Sequence, residues 1–310
     1  MPYIFSHFKE KITTDGEQVY LSVSKDGYSW EELNNGNPVI TCDKGELGCR
    51  DIDLVRLKTG GFVIIATDLC IVNRMDENYN VNWKHVNSHG SQCLSLWRSD
   101  DLIHFSEQEL IDFSGNDFGC LWAPEVFYDE ENEEYLLHWG STIGSDNYTH
   151  MSIYCAVTKD FVSFSKPKLF FTKDNEILDS HIVKINDTYH LFYKNSSSPA
   201  CNMHATSSSL YGEYVNDDEF EKYMCSLDKP GSYEAPTTLK LPDGKWCFMA
   251  DFFGCEKEKM GYVPFISDDF GNADFVRCPE RFSFPYGFKH GGIIEITDEE
   301  YARITEHYNK

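Results

Sequence analysis

A strand–turn–strand unit recurs along this chain at nearly constant spacing, and no other feature of the sequence restricts the fold as much. Residues 51–57 form an apolar strand, Thr59, Gly60 and Gly61 a turn, and 62–68 a second strand. The unit returns as 122–128 with 135–139, as 179–185 with 189–193, and as 234–240 with 246–250. β-Branched and aromatic runs flanking Gly, Asn and Asp turns are hairpin signals. A fifth first strand, 290–296, has no hairpin partner after it. Aligned on their leading polar residues, the units start at 51, 125, 179, 234 and 290, with gaps of 74, 54, 55 and 56. The long first gap carries an extra loop around residues 71–93. Such regularity predicts repeated supersecondary units, and four strands per unit predict an all-β, five-bladed β-propeller. No linker divides the chain, so a single domain over 1–310 is expected.

A second element repeats with the first. Segments 20–30, 96–105, 153–164 and 263–271 each carry a strand, a Ser/Thr-x-Asp turn and often an aromatic soon after, and 203–211 is a degenerate copy. Asp in such a turn caps backbone N–H groups, so a structural role is expected. The fifth unit lacks outer strands, and an unpaired edge would leave backbone groups unsatisfied. The N-terminal runs 3–8 and 18–24 are the candidates to complete it beside 292–296, so the two ends of the chain are expected to fasten the ring. The tail is a helix: Thr297 and Glu300 form a capping box, and Tyr301, Ile304 and Tyr308 share a face.

Composition excludes several functions. The net charge of −24 repels phosphate backbones, which makes nucleic acid a poor partner. No apolar run is long enough to span a bilayer, so no membrane partner is expected. The 11 cysteines are scattered with no C-x-x-C pair. Together with an opening segment that lacks the features of a secretory signal, they predict free thiols in a reducing, cytoplasmic compartment.

In a propeller, the innermost strands of all blades converge on one axis. Four of the five leading positions are acidic, Asp51, Glu125, Asp179 and Glu234, and the fifth is His290. Like charges at a shared focus cost stability and raise one another's pKa, which marks a candidate site. Asp53 competes with Asp51, because strand alternation puts both on one face.

Several of these residues also resemble glycoside hydrolase family 43. Arg50-Asp51 opens an apolar strand, Leu121-Trp122-Ala123-Pro124-Glu125 follows, and then come Ile177-Leu178-Asp179, Tyr233-Glu234-Ala235-Pro236 and Lys289-His290-Gly291-Gly292. The family usually has Pro where Ile52 stands and Gly where Ala235 stands; both departures keep the carboxylate. The resemblance implies inverting hydrolysis of a small glycoside or oligosaccharide rich in pentose or furanose, of the α-L-arabinofuranosidase or β-xylosidase type. Asp51 would be the general base and Glu234 the general acid, with Asp179 orienting Glu234 and keeping its pKa high. Arg50 would hold Asp51 ionised, Trp122 would wall the sugar, and Glu125 and His290 would complete the substrate site. The resemblance implies no required cofactor; His290 is the candidate ligand for a Ca or Na ion in the central channel. The rival expectation is a catalytically silent propeller that binds glycan or protein.

Overall fold

A computed structural model describes residues 1–9, 11–197, 200–227, 231–254, 260–272, 274–285 and 287–309. The chain opens with β1 (Tyr3–Lys9), β2 (Tyr20–Ser24) and β3 (Glu31–Glu32). The first quartet is β4 (Cys49–Arg56), β5 (Phe62–Asp68), β6 (Cys93–Ser99) and β7 (Glu109–Asp112), with the short helix α1 (Trp83–Ser88) between β5 and β6. The second is β8 (Trp122–Asp129), β9 (Glu134–Ser141), β10 (Ser152–Thr158) and β11 (Lys168–Phe171). The third is β12 (Ile177–Ile185), β13 (Thr188–Asn195), β14 (Cys201–Ser207) and β15 (Val215–Asn216), and helix α2 (Asp218–Ser226) follows it. The fourth is β16 (Ser232–Lys240), β17 (Trp246–Phe253), β18 (Gly261–Ser267) and β19 (Val276–Arg277). Strand β20 (Phe288–Glu295) and helix α3 (Asp298–Tyr308) close the order.

The last three quartets are separate four-stranded antiparallel sheets. The first belongs to an eight-stranded sheet ordered β3-β2-β1-β20-β4-β5-β6-β7. That sheet is two four-stranded halves joined at one parallel pair, Gly291 with Ile52. In the outer half β20 pairs antiparallel with β1, from Tyr3 opposite Glu295 to Lys9 opposite Phe288, and β1 pairs with β2. This is the order expected from the incomplete fifth repeat. Gly291 is obligatory there, because a Cβ on it would lie 1.7 Å from the Ser6 carbonyl oxygen. The Ser6 hydroxyl donates to the Ile52 carbonyl at 2.9 Å, tying β1 to β4 across the seam.

Burial follows the repeat. The second strand of the first hairpin, β5, is buried throughout, whereas the fourth strands are short and more exposed. Sheets meet through aromatic rings: Phe192 lies 5.1 Å from Phe248, and Trp139 stacks on Phe113 at 4.9 Å. Burying each such ring stabilises by about 1.5–3 kcal/mol.

The Ser/Thr-x-Asp turns are structural. Asp101 Oδ1 accepts from the backbone N–H groups of Ile103 and His104 at 2.9 and 2.8 Å, while the Ser99 hydroxyl accepts from Leu102 N–H at 2.8 Å. Asp26 and Asp160 repeat the pattern with Tyr28 and Ser29, and with Val162 and Ser163. Helix α3 has the expected capping box, and Ile304 is fully buried with Tyr301 and Tyr308 packed beside it. Helices α1 and α2 were not expected. Cys201 and Cys225 form a disulfide that fastens α2 to β14, against the expectation of free thiols throughout; eight other cysteines among the described residues are free. Among the described residues no helix is long and apolar enough to cross a membrane.

Candidate active site

Each of β4, β8, β12 and β16 is interrupted near its start by a β-bulge, between Arg50 and Asp53, Trp122 and Glu125, Leu178 and His181, and Glu234 and Thr237. The first inserted residue is left-handed in all four: Asp51 (φ 52°), Ala123 (49°), Asp179 (52°) and Ala235 (53°). A residue with a Cβ costs about 1–2 kcal/mol in that conformation. Strain of this kind gathers where a side chain must be re-aimed, as at functional sites.

The bulge resolves the two aspartates. It breaks the alternation that would put Asp51 and Asp53 on one face, so Asp51 lines the central cavity and Asp53 does not. Asp53 instead accepts the Val126 N–H at 2.9 Å. The bulge also corrects the sequence alignment. Asp51 and Asp179 share a register position, but Glu234 stands one residue before it and Glu125 two residues after. Glu125 is therefore not a wall of the cavity, contrary to expectation. Its Oε1 lies 2.6 Å from His181 Nδ1, and His181 Nε2 lies 2.8 Å from the Thr238 hydroxyl.

The cavity encloses about 490 Å³, and Asp51, Asp179, Glu234, His290, Arg50 and Trp122 all line it. His290 Nδ1 lies 3.2 Å from Asp51 Oδ1 and 4.0 Å from Asp179 Oδ1. Asp51 Oδ2 accepts the Thr67 hydroxyl at 2.8 Å. Burial by itself would raise the Asp51 carboxyl; His290, then Arg50 and Thr67, outweigh it and bring it to about 2. Burial would lower the His290 imidazole, but Asp51, Asp179 and Glu234 lift it to about 9. Arg50 is held by Glu17 at 2.7 Å and lies over the Phe8 ring.

The Glu234 side of the cavity carries a network that was not foreseen. Lys194 from β13 reaches Glu234 Oε2 at 2.5 Å. Burial would raise Glu234, but Lys194, with Lys289 and His290 adding, holds it below the usual range. Glu234 is thus lowered, against the expectation that Asp179 keeps its pKa high, and the raised carboxyls are its neighbours. Burial, with the Glu234 charge adding, pushes Asp179 to about 6 against His290. Burial likewise pushes Asp251 to about 7 against Lys289, whose Nζ lies 2.6 Å away. Asp251 stands directly across the hairpin from Glu234. Asp179 Oδ2 accepts the Ala235 N–H at 3.2 Å, which tethers it beside Glu234.

A sequence profile of the family-43-related glycosyl hydrolases, described as a probable glycosyl hydrolase domain, matches residues 1–302. The chain belongs to that family. An α-L-arabinofuranosidase of Bifidobacterium longum subsp. longum is 24% identical over 254 residues, covering 75% of this chain and 22% of that protein, so the chain spans about a fifth of that relative's length. Among solved structures, an exo-1,5-α-L-arabinanase from a bovine ruminal metagenomic library superimposes with a TM-score of 0.60 at 16% identity, over 89% of this chain and 92% of that one. An endo-1,4-β-xylanase from Bacteroides thetaiotaomicron gives 0.57 at 13% identity, over 94% and 92%. At these identities the likeness is one of fold.

In this family-43-related chain, His290 Nδ1 faces the Asp51 and Asp179 carboxyls, and among the described residues no group of three or more His, Cys, Asp or Glu side chains is placed to hold a metal ion. The residues that sequence reasoning missed, Lys194 and Asp251, sit near the ends of second strands. Their signal was hairpin register, since Lys194 lies opposite Leu178 and Asp251 opposite Glu234.

Proposed function

We propose that this chain is a single-domain, five-bladed propeller that hydrolyses a glycosidic bond of a pentose- or furanose-containing glycan with inversion. The ring is supported by four bulged inner strands that deliver residues to one cavity, and by the lone pair of residues joining the halves of the eight-stranded sheet. The observation that carries the chemistry is geometric: three carboxyls, Asp51, Asp179 and Glu234, line that one cavity, and His290 and Arg50 keep Asp51 ionised down to about pH 2. Single displacement needs one carboxylate and one carboxylic acid at the same pH. Asp51 takes a proton from water as the water attacks the anomeric carbon. Glu234 gives its proton to the departing oxygen, whose bond to that carbon breaks. A bound sugar that draws Lys194 away from Glu234 and excludes water raises Glu234 into its acid form. Asp179, fixed to the Ala235 N–H, orients the acid. Pentose and furanose specificity rests on the α-L-arabinofuranosidase relative.

Turnover of nitrophenyl α-L-arabinofuranoside and β-xyloside, with the product anomer followed by NMR, tests this. Hydrolysis with inverted product is expected. No turnover on either substrate would remove the activity, and a retained anomer would remove the single displacement.

A further inference from the structure

The long gap between the first two repeats is spent on α1, and α1 faces the cavity. Trp83 and Asn87, one helical turn apart, both line it. The helix is pinned without Trp83's help. Val86, three residues after Trp83, is buried against Leu69 and Ile71, and the Thr142 hydroxyl donates to the Asn87 carbonyl at 2.5 Å. Trp83 itself is 50% exposed, the one exposed tryptophan among the described residues. It meets Trp122 at a right angle, ring centroids 6.1 Å apart and planes at 84°, and half of its surface stays open to solvent beside the cavity. Asn87 Oδ1 is buried with no hydrogen-bond partner among the described residues, an acceptor awaiting a donor. A half-exposed indole beside an unpaired acceptor matches a sugar, which has an apolar ring face and hydroxyl donors.

We propose that α1 carries a second sugar subsite, in which Trp83 stacks on the ring one unit beyond the sugar held between Asp51 and Glu234, and Asn87 Oδ1 accepts one of that ring's hydroxyls. The position follows from exposure: the reacting sugar sits deeper, against the partly buried Trp122, and Trp83 is further out. The substrate class is thus a neutral oligosaccharide of at least two units. This rests on the glycosidase reading above.

The test uses the full chain carrying Asp51→Asn, so that ligands are not consumed, and calorimetric titration with arabinose, arabinobiose, xylose and xylobiose. One disaccharide is expected to bind about three- to tenfold tighter than its monosaccharide, the gain a stacked ring supplies. Adding Trp83→Ala removes most of that gain, Trp83→Phe restores part of it, and Asn87→Leu lowers it. Melting temperatures stay close among the four proteins. Equal binding of mono- and disaccharide, binding of neither disaccharide, or an equal loss for both lengths in Trp83→Ala overturns the subsite. Nitrophenyl glycoside turnover by the unsubstituted protein is measured alongside. Length-dependent binding without turnover sinks the hydrolase reading and leaves the subsite standing; turnover without length dependence does the reverse.

Discussion

The paired carboxylates differ in what they ask of a substrate, and that difference is measurable residue by residue. Water must be activated for every substrate, so Asp51→Asn is expected to lose at least about 100-fold in kcat on all of them. Protonation of the leaving oxygen matters only when that oxygen leaves poorly. Glu234→Gln is therefore expected to fail on an oligosaccharide while keeping much of its rate on an activated aryl glycoside; equal losses on both would remove Glu234 as the acid. Lys194 makes a subtler prediction. It lies 2.5 Å from Glu234 and holds it ionised, opposing burial. In Lys194→Met, the largest charge opposing burial is gone and only Lys289 and His290 remain against it, so Glu234 keeps its proton to higher pH. The alkaline limb of the kcat/KM profile should move up by about one unit or more. A limb that stays put shows that Lys194 does not govern the acid. Asp51, Asp179 and Glu234 were legible from spacing and family pattern. The choice between Asp51 and Asp53, and the retreat of Glu125 to His181, were not, because each depends on a bulge whose left-handed residue is Ala in two of the four strands. Alanine carries no sequence signal for that conformation.

At the scale of elements, the hairpins and the capped helix α3 were visible because local rules specify them: alternation, turn residues and a capping box. Helix α1 was not, because six residues closing a long insertion show too little periodicity to separate from loop. Pairing of β20 with β1 was legible only by elimination, from a repeat lacking outer strands. Gly291 is where that pairing is most easily broken. Its missing side chain lets the Ser6 carbonyl approach to a distance no Cβ tolerates. Gly291→Ala should force β1 and β20 apart and destabilise by about 1–3 kcal/mol or more. Hydrogen exchange should show the lost protection spreading from β1 and β20 into β2. An unchanged melting temperature would mean that this contact relaxes without cost.

Across the whole molecule, the cavity sets the pH dependence of stability. Asp179 and Asp251 have folded pKa values of about 6 and 7, above those of an unfolded chain, and His290 stands at about 9. A raised group favours folding fully below its unfolded pKa, and that contribution is gone once pH passes its folded value. All three contributions thus fade between about pH 4 and 9. Asp51, lowered to about 2, acts oppositely but only under strong acid, since its contribution is lost as pH falls from its unfolded value through 2. The net charge of −24 adds self-repulsion in the same alkaline direction as the first three. Calorimetry from pH 5 to 9 should show the melting temperature falling by at least about 2 °C. A rise over that interval would mean that the buried carboxyls are ionised in the fold.

The seam between β1 and β20 also orders events during synthesis. Ser6 and Gly292, which meet there, are 286 residues apart. At about 5–20 residues per second, the ribosome needs roughly 15–60 s to deliver the second after the first. Throughout that interval β1, seven residues that all end up buried, has β2 on one side and nothing on the other. A nascent chain in this state offers an open strand edge to its neighbours on the same message. Translation speed and chaperone cover, rather than final stability, then govern how many copies reach the finished fold.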